Sequence, residues 1–154
     1  MKLNYNGQEK VKAPPAAVWA FVQDPARVAR CLPEVQDVQV TGPNQLVATV
    51  NISKGMLRAK LKFDIDVKPD PDSHRVNVTI KGGGLGNAVD VTAGADIKDA
   101  GDGTTTLDWQ GEADMRGPLV NMGGRVMEGE IEKMISRTFQ NMGSIIASEN
   151  NKLA

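Results

Sequence analysis

Apolar and polar residues alternate over most of the chain. The clearest case is residues 57–68, LRAKLKFDIDVK, in which every second residue from Leu57 to Val67 is apolar and the residues between are charged. A period of two is typical of a strand with one dry and one wet face, as in antiparallel sheets. Four further segments repeat it, with the apolar rows Leu46, Ala48, Val50, Ile52; Val76, Val78, Ile80; Val89, Val91, Ala93, Ala95, Ile97; and Leu107, Trp109, Gly111, Ala113, Met115. Turn sequences such as TGPN and KDAGDG separate the segments, which predicts a meander of hairpins.

Two segments favour helix instead. Residues 14–34, PPAAVWAFVQDPARVARCLPE, predict two short helices, the second starting with Asp24 as N-cap and Pro25 at the first helical position. A longer amphipathic helix is predicted over roughly 119–148, with one apolar stripe and a charged opposite face. Because this helix and the sheet each have one dry face, the helix should lie across the concave side of a curved sheet.

Residues 81–94, KGGGLGNAVDVTAG, contain five glycines and raise the question of a phosphate-binding loop. Their spacing fits neither a dinucleotide fingerprint nor a P-loop, and a strand rather than a helix follows. Glycines inside strands mark bulges, bends or close backbone approaches. The sequence therefore predicts a structural use of these glycines.

Small residues dominate one part of the predicted concave face. Ala93 and Ala95 on one strand neighbour Gly111 and Ala113 on the next, and the long helix above them carries several methionines. Either the helix docks very closely here in an ordinary core, or space is left for a ligand, since methionine suits surfaces that adapt to apolar shapes.

Composition narrows the class of protein. The 154 residues suit one domain over 1–150 with a tail at 151–154, and the net charge of −1 argues against nucleic acid as a partner. One cysteine, Cys31, and one histidine, His74, form no metal or catalytic constellation, so neither a metal site nor catalysis is expected. No signal peptide is recognisable and the lone cysteine suits a reducing compartment, so we expect a cytoplasmic protein.

The opening segment APPAAVWAFVQDPARVARCLPEV, the later KGGGLGNA and GADI, and the strand GTTTLDW resemble the carbon monoxide dehydrogenase G-subunit family of the START-like (SRPBCC) superfamily. The resemblance covers nearly the whole chain. It implies an α+β helix-grip fold, a curved antiparallel sheet of about seven strands with two short helices and a long C-terminal helix across its concave face. It further implies a cavity for a lipophilic molecule, such as menaquinone, ubiquinone or another lipid, with no covalent cofactor. The implied role is accessory to a molybdenum-containing, carbon monoxide dehydrogenase-like oxidoreductase, with peripheral contact at the inner face of the membrane.

With this resemblance, the patch of small residues is interpreted as a pocket. The predicted ligand-binding residues are Phe63, Val91, Ala93, Ala95, Trp109, Gly111, Met115, Met122, Met127, Ile131, Met134 and Ile135.

Two alternatives to a carrier stay open. The first is a START-like cyclase or hydrolase, for which Glu9 is the one inward carboxyl, unless Gly7 permits a bulge that changes the register or Glu9 lies at a wet edge. The second is a pure interaction module that uses the basic row Arg58, Lys60 and Lys62, or the apolar glycine-rich loop at 117–124.

Overall fold

The computed structural model describes residues 1–32, 35–54, 57–84 and 86–153, without the side chains of 35, 36, 52, 54, 57–59, 119, 122–127, 130 and 151–153. The chain forms seven strands and three helices in the order β1 (Lys2–Val11), α1 (Pro15–Val22), α2 (Pro25–Ala29), β2 (Val35–Gly42), β3 (Gln45–Lys54), β4 (Leu57–Asp70), β5 (Arg75–Gly84), β6 (Asn87–Asp99), β7 (Thr105–Arg116) and α3 (Pro118–Leu153). α3 therefore includes most of the segment 151–154 that the sequence predicts as a tail.

All seven strands form one curved antiparallel sheet in the order β1-β7-β6-β5-β4-β3-β2. From β2 onward each strand pairs with the next along the chain, and β7 then pairs with β1, so β1 and β2 are the edge strands. The predicted meander and fold class are confirmed. Side chains of one parity in each strand face α1, α2 and α3, and those of the other parity form the convex, water-facing side.

The two short helices cover one end of the sheet. Asp24 caps α2 as predicted, because its carboxylate accepts hydrogen bonds from the backbone N–H groups of Ala26 (3.1 Å) and Arg27 (3.4 Å). α2 is joined to α3 by an ion pair between Arg27 and Glu149, which are both half-exposed. Nearby, the Asn141 side chain of α3 donates a hydrogen bond to the Cys31 carbonyl at 3.0 Å. Burial raises the pKa of the Cys31 thiol to about 12, and the nearby Glu149 carboxylate adds to the shift.

The glycine-rich stretch forms the end of β5 and its tight connection to β6. A Cβ on Gly82 would lie 2.1 Å from the Lys62 carbonyl oxygen, so β4 and β5 approach more closely than any side chain allows. Gly83 and Gly86 have φ angles of 152° and 82°, which favour glycine. A Cβ on Gly117 would lie 2.7 Å from the backbone of residues 86 and 87, so the start of α3 packs closely here. These glycines permit close backbone packing, as the sequence predicts; Leu85 lies outside the described residues.

Candidate functional site

A cavity of about 170 Å³ lies between the concave face of the sheet and α3. Its floor is formed by β3 to β6, through Leu46, Ala48, Val50, Leu61, Phe63, Ile65, Val67, Val76, Val78, Ile80, Val89, Val91, Ala93 and Ala95. Val22 of α1 and Val28, Ala29 and Leu32, in and after α2, close one end. An apolar cavity of on the order of 150 Å³ is large enough to bind a small aromatic molecule. The sequence leaves two interpretations of the small residues, a closely docked helix or space for a ligand. The structure shows the space.

The described buried residues form two hydrophobic clusters, and members of both line this cavity. One buried cluster lies beneath α1, α2 and the C-terminal half of α3, and contains Phe21, Leu107 and Ile146. A second cluster, with Leu3, Leu61 and Met115 among its members, lies near the start of α3. Here the two clusters are linked through partly buried side chains, among them Phe63, which lines the cavity.

α3 forms the roof of the cavity through Ile131, Met134, Ile135, Thr138, Phe139 and Met142. Their spacing of three and four residues places them on one helix face. Thr138 is the only residue with a polar side chain among the described lining residues, and its hydroxyl donates a hydrogen bond to the Met134 carbonyl at 2.6 Å. None of these lining residues has an ionisable side chain.

An aromatic pair bounds the cavity on the side of β7. The rings of Trp109 and Phe139 stack with their centroids 5.0 Å apart and an interplanar angle of 8°. Trp109 covers Gly7 of β1, where an added Cβ would lie 2.5 Å from an indole carbon. The indole thus fills the space between α3 and the edge of the sheet, and leaves the cavity over β3 to β6.

The predicted ligand-binding residues divide accordingly. Phe63, Val91, Ala93, Ala95, Ile131, Met134 and Ile135 are brought together around the cavity. Trp109, Gly111 and Met115 do not line it, because α3 crosses the sheet nearer to β1 and β7 than parity alone can indicate. The side chains of Met122 and Met127 lie outside the described residues, as does Met56, so their place in the site stays a prediction. Ligand binding by the lining residues likewise stays a prediction.

The sequence prediction omits several lining residues. Val78 and Ile80 belong to an apolar row that the sequence identifies, and Thr138 belongs to the predicted stripe of α3, whereas Phe139 does not. Periodicity indicates that these side chains face inward. It does not indicate which of them contact an unfilled space, since that depends on where α3 crosses the sheet.

Glu9 is half-buried on the edge strand, outside the cavity wall. The pairing of β1 with β7 is continuous from Lys2 with Asp114 to Val11 with Thr105, so the bulge considered at Gly7 is wrong and the wet-edge interpretation fits. A Cβ on Gly143 of α3 would lie 3.5 Å from a Glu9 carboxylate oxygen. Burial raises the pKa of this carboxyl.

Tyr5, also on β1, holds the other part of α3. Its hydroxyl donates a hydrogen bond to the Glu128 carbonyl at 3.1 Å. Burial raises the pKa of the Tyr5 hydroxyl to about 12, with contributions from the carboxylates of Glu128 and Glu132. β1 thus fixes α3 at two points along its length.

The chain was compared with known families and structures. The family model of the carbon monoxide dehydrogenase G-subunit, CoxG, matches residues 7–147. The chain has no match among curated protein sequences. Among the helices in the described ranges, none is long and apolar enough to cross a membrane.

Several solved structures have the same fold. A conserved protein from Geobacillus kaustophilus is 23% identical, with a TM-score of 0.82 and coverage of 95% of this chain and 96% of that one. A START superfamily protein from Mycobacterium smegmatis is 14% identical, with a TM-score of 0.66 and coverage of 98% and 99%. Norcoclaurine synthase from Thalictrum flavum is 12% identical, with a TM-score of 0.67 and coverage of 95% and 87%. At these identities the similarity establishes the fold alone.

Proposed function

Since the chain belongs to the carbon monoxide dehydrogenase G-subunit (CoxG) family, we propose that it is a non-catalytic binder of a lipophilic molecule of the quinone or lipid class. The molecule occupies the cavity between the sheet and α3. In this proposal the protein is an accessory or membrane-recruitment factor for a molybdenum-containing, carbon monoxide dehydrogenase-like oxidoreductase. The observation that carries the binding role is the apolar cavity of about 170 Å³ between the sheet and α3.

The chemistry of the cavity wall supports an apolar ligand. Burying a polar group without a hydrogen-bond partner costs several kcal/mol, and the described wall offers a single hydroxyl. A ligand that loses about 400 Å² of apolar surface gains on the order of 10 kcal/mol. Association costs at least ~4 kcal/mol, which leaves a dissociation constant of roughly tens of micromolar. A ligand of that area fills the cavity with one part and extends along its opening with the rest.

An enzymatic role is the second candidate, because one structural neighbour is a synthase. General acid–base catalysis needs an ionisable group within hydrogen-bond reach of the substrate. No such group is found among the described lining residues, and Glu9 lies beside Gly143 at the sheet edge instead. This arrangement favours the carrier over the enzyme.

The recruitment part of the proposal has a candidate surface on the convex face. The described side chains of Lys60 and Lys62 are exposed and form no ion pair with another described residue. The predicted loop at 117–124 is wrong, because α3 already begins at Pro118. Arg58 and the side chains at 119 and 122–124 lie outside the described residues. Unpaired lysines suit an anionic membrane or an acidic protein, although basic residues also keep sheet surfaces from aggregating.

The test of the binding role uses two matched substitutions on β6. Ala93→Ile fills the cavity, whereas Thr92→Ile adds apolar bulk on the exposed, opposite face of the same strand. The purified proteins are incubated with membranes, reisolated, and analysed for bound lipophiles by native mass spectrometry. We expect the native protein and Thr92→Ile to extract the same lipophile, and Ala93→Ile to extract little. Absence of any extracted lipophile from the native protein would refute the carrier role.

The recruitment role is tested separately with a Lys60→Glu/Lys62→Glu variant. Co-sedimentation with anionic vesicles should fall in this variant if the lysines contact the membrane, because the exposed charges are reversed. Equal co-sedimentation of the variant and the native protein would exclude this surface as the membrane contact and leave the binding role unaffected.

A further inference from the structure

The convex face of the sheet carries a polar groove of about 350 Å³, on the opposite side of the sheet from the apolar cavity. Four strands contribute to it. Asn6 of β1 pairs with Gln110 of β7, which pairs with Gly94 of β6, and Gly94 in turn pairs with Asn77 of β5. These residues form one row across the sheet, in which a glycine without a side chain lies between longer polar residues.

The residues of this groove are unusual for the outward face of a sheet. On β4 the outward residues from Lys60 to Lys68 are all charged. Most polar residues of the groove are instead neutral, and Asn4 and Thr92 lie there beside the row of amides. Asparagine and glycine are both depleted in strands. Local preferences that are overridden at several neighbouring positions are expected at functional sites.

Arg75 of β5 lies in the groove and is held in place there. Its Nε donates a hydrogen bond to Asn77 Oδ1 at 3.0 Å, and its Nη1 donates to Asp96 Oδ1 at 2.9 Å. The guanidinium covers Gly94, where an added Cβ would collide with Nη2. Within the described part of the chain, Nη2 itself forms no hydrogen bond. The groove therefore contains a fixed guanidinium with unused N–H donors.

Other side chains of the groove also have unused hydrogen-bonding capacity. Asn6, Gln110 and Thr92 are exposed, and their side chains form no hydrogen bond with another described residue. A side-chain amide has an acceptor oxygen and two donor hydrogens, and a hydroxyl group likewise both donates and accepts. A ligand that presents several hydroxyl groups therefore matches this set of partners.

The charges and the aromatic content of the groove narrow the class of ligand. Asp96 balances the positive charge of Arg75, and Glu112 adds a negative charge, so an anion gains little there. Tyr5 is the one aromatic residue among the described residues that line the groove, and its hydroxyl is bonded to the Glu128 carbonyl of α3. Its ring therefore lies on the concave side of the sheet, and a planar base would find no ring in the groove to stack on.

We propose that this groove is a second binding site and that it takes a neutral ligand with several hydroxyl groups, a saccharide. The guanidinium of Arg75 donates to hydroxyl oxygens of the ligand, and the amides of Asn6 and Gln110 both donate and accept. A free saccharide and the headgroup of a neutral glycolipid carry the same hydroxyl chemistry. The inference goes beyond the proposed function, because this site lies on the other face of the sheet and does not depend on a ligand in the cavity.

Binding is measured by NMR titration of the isotopically labelled full chain. The free probes are glucose, galactose, mannose, maltose and lactose, with glucuronate as the anionic comparison, and nanodiscs with digalactosyl diacylglycerol present the headgroup on a membrane. We expect a neutral probe to shift the backbone amides of Asn77, Gly94 and Gln110. A response to the nanodiscs alone assigns the site to a glycolipid, and a response to a free sugar assigns it to a saccharide. No response to any neutral probe, or a response to glucuronate alone, would overturn the proposal.

Matched substitutions locate the bound probe. Asn6→Ala and Gln110→Ala each remove an amide of the groove, whereas Gln8→Ala removes an exposed amide of β1 outside it. A net neutral hydrogen bond changes affinity by about two- to tenfold. We expect each groove variant to raise the dissociation constant by that factor and Gln8→Ala to leave it unchanged. Equal affinities of the native protein and both groove variants would refute the site.

The variant Thr92→Ile separates this site from the cavity. Its added carbons lie in the groove, on the face opposite the cavity, so saccharide binding should be lost while lipophile extraction persists. Retention of full saccharide affinity by Thr92→Ile would count against the groove. Failure of the native protein to extract a lipophile would refute the carrier role and leave the saccharide titration as an independent measurement.

Discussion

Replacement of Ala93 by isoleucine should stabilise the ligand-free protein. Ala93 faces α3 from β6, lines the cavity and is not completely buried. Larger side chains introduced into a packed interior are normally destabilising, by about 1–3 kcal/mol. At Ala93 the added carbons enter empty space, so the sign of the effect reports whether the cavity exists in solution.

The magnitude follows from the three carbons that isoleucine adds. At about 0.8 kcal/mol per buried methylene, the gain in the free energy of unfolding is roughly 2.4 kcal/mol. Ordering the isoleucine side chain costs about 0.5–1 kcal/mol. A net stabilisation of about 1.5 kcal/mol remains, which corresponds to an increase in Tm of about 3–6 °C for a domain of this size.

Ala113 is the matched control for this measurement. It faces the same side of the sheet from β7, is paired with Val91, has 0% of its surface exposed, and does not line the cavity. Ala113→Ile should therefore destabilise the protein by about 1–3 kcal/mol. Urea unfolding, followed by tryptophan fluorescence, gives both values. Equal destabilisation by the two substitutions would show that Ala93 faces a filled interior, and the cavity would be refuted.

Two further predictions concern the glycine stretch and the sheet edge. Gly82→Ala should destabilise the protein by at least about 1–3 kcal/mol, since its Cβ would lie 2.1 Å from the Lys62 carbonyl oxygen; a neutral effect in urea unfolding would contradict the close approach of β4 and β5. Glu9 should make stability depend on pH, because burial raises its pKa and the folded state thus holds the proton more tightly than the unfolded state. Its contribution is complete below the unfolded pKa of 4.5 and is lost as the pH rises through the folded pKa, so Glu9→Gln should flatten the profile above about pH 4.5. An unchanged profile would refute the burial of this carboxyl.

The fold could be predicted from the sequence because its signals are local. The alternation from Leu57 to Val67 gives the parity of β4, and the capping pair Asp24 and Pro25 gives the start of α2. Both depend on residues that are neighbours along the chain. The long antiparallel meander then leaves few ways to order the strands, since sequential strands usually pair.

The site could be predicted less completely because its boundary depends on distant residues. Parity places Gly111 and Ala93 on the same face, yet only Ala93 lines the cavity. The difference arises from the stacking of Trp109 on Phe139 and from Gly7, which leaves room for the indole. These three residues are far apart in the sequence, so no local pattern relates them. They come together only when β1 pairs with β7 and α3 packs on the sheet.

The position of α3 explains why the sheet leaves space beneath the helix. On one side, Tyr5 and Gly143 fix the helix against β1, and on the other Asn141 holds it to the carbonyl of Cys31. These contacts set the height of the helix above the sheet, and the small side chains of β6 cannot fill the remaining distance. Binding then requires little rearrangement, so most of the apolar area that a ligand buries is retained as affinity. Selectivity must come from the fixed wall itself, whose described side chains are almost all apolar and therefore favour ligands that bring no polar group into the cavity.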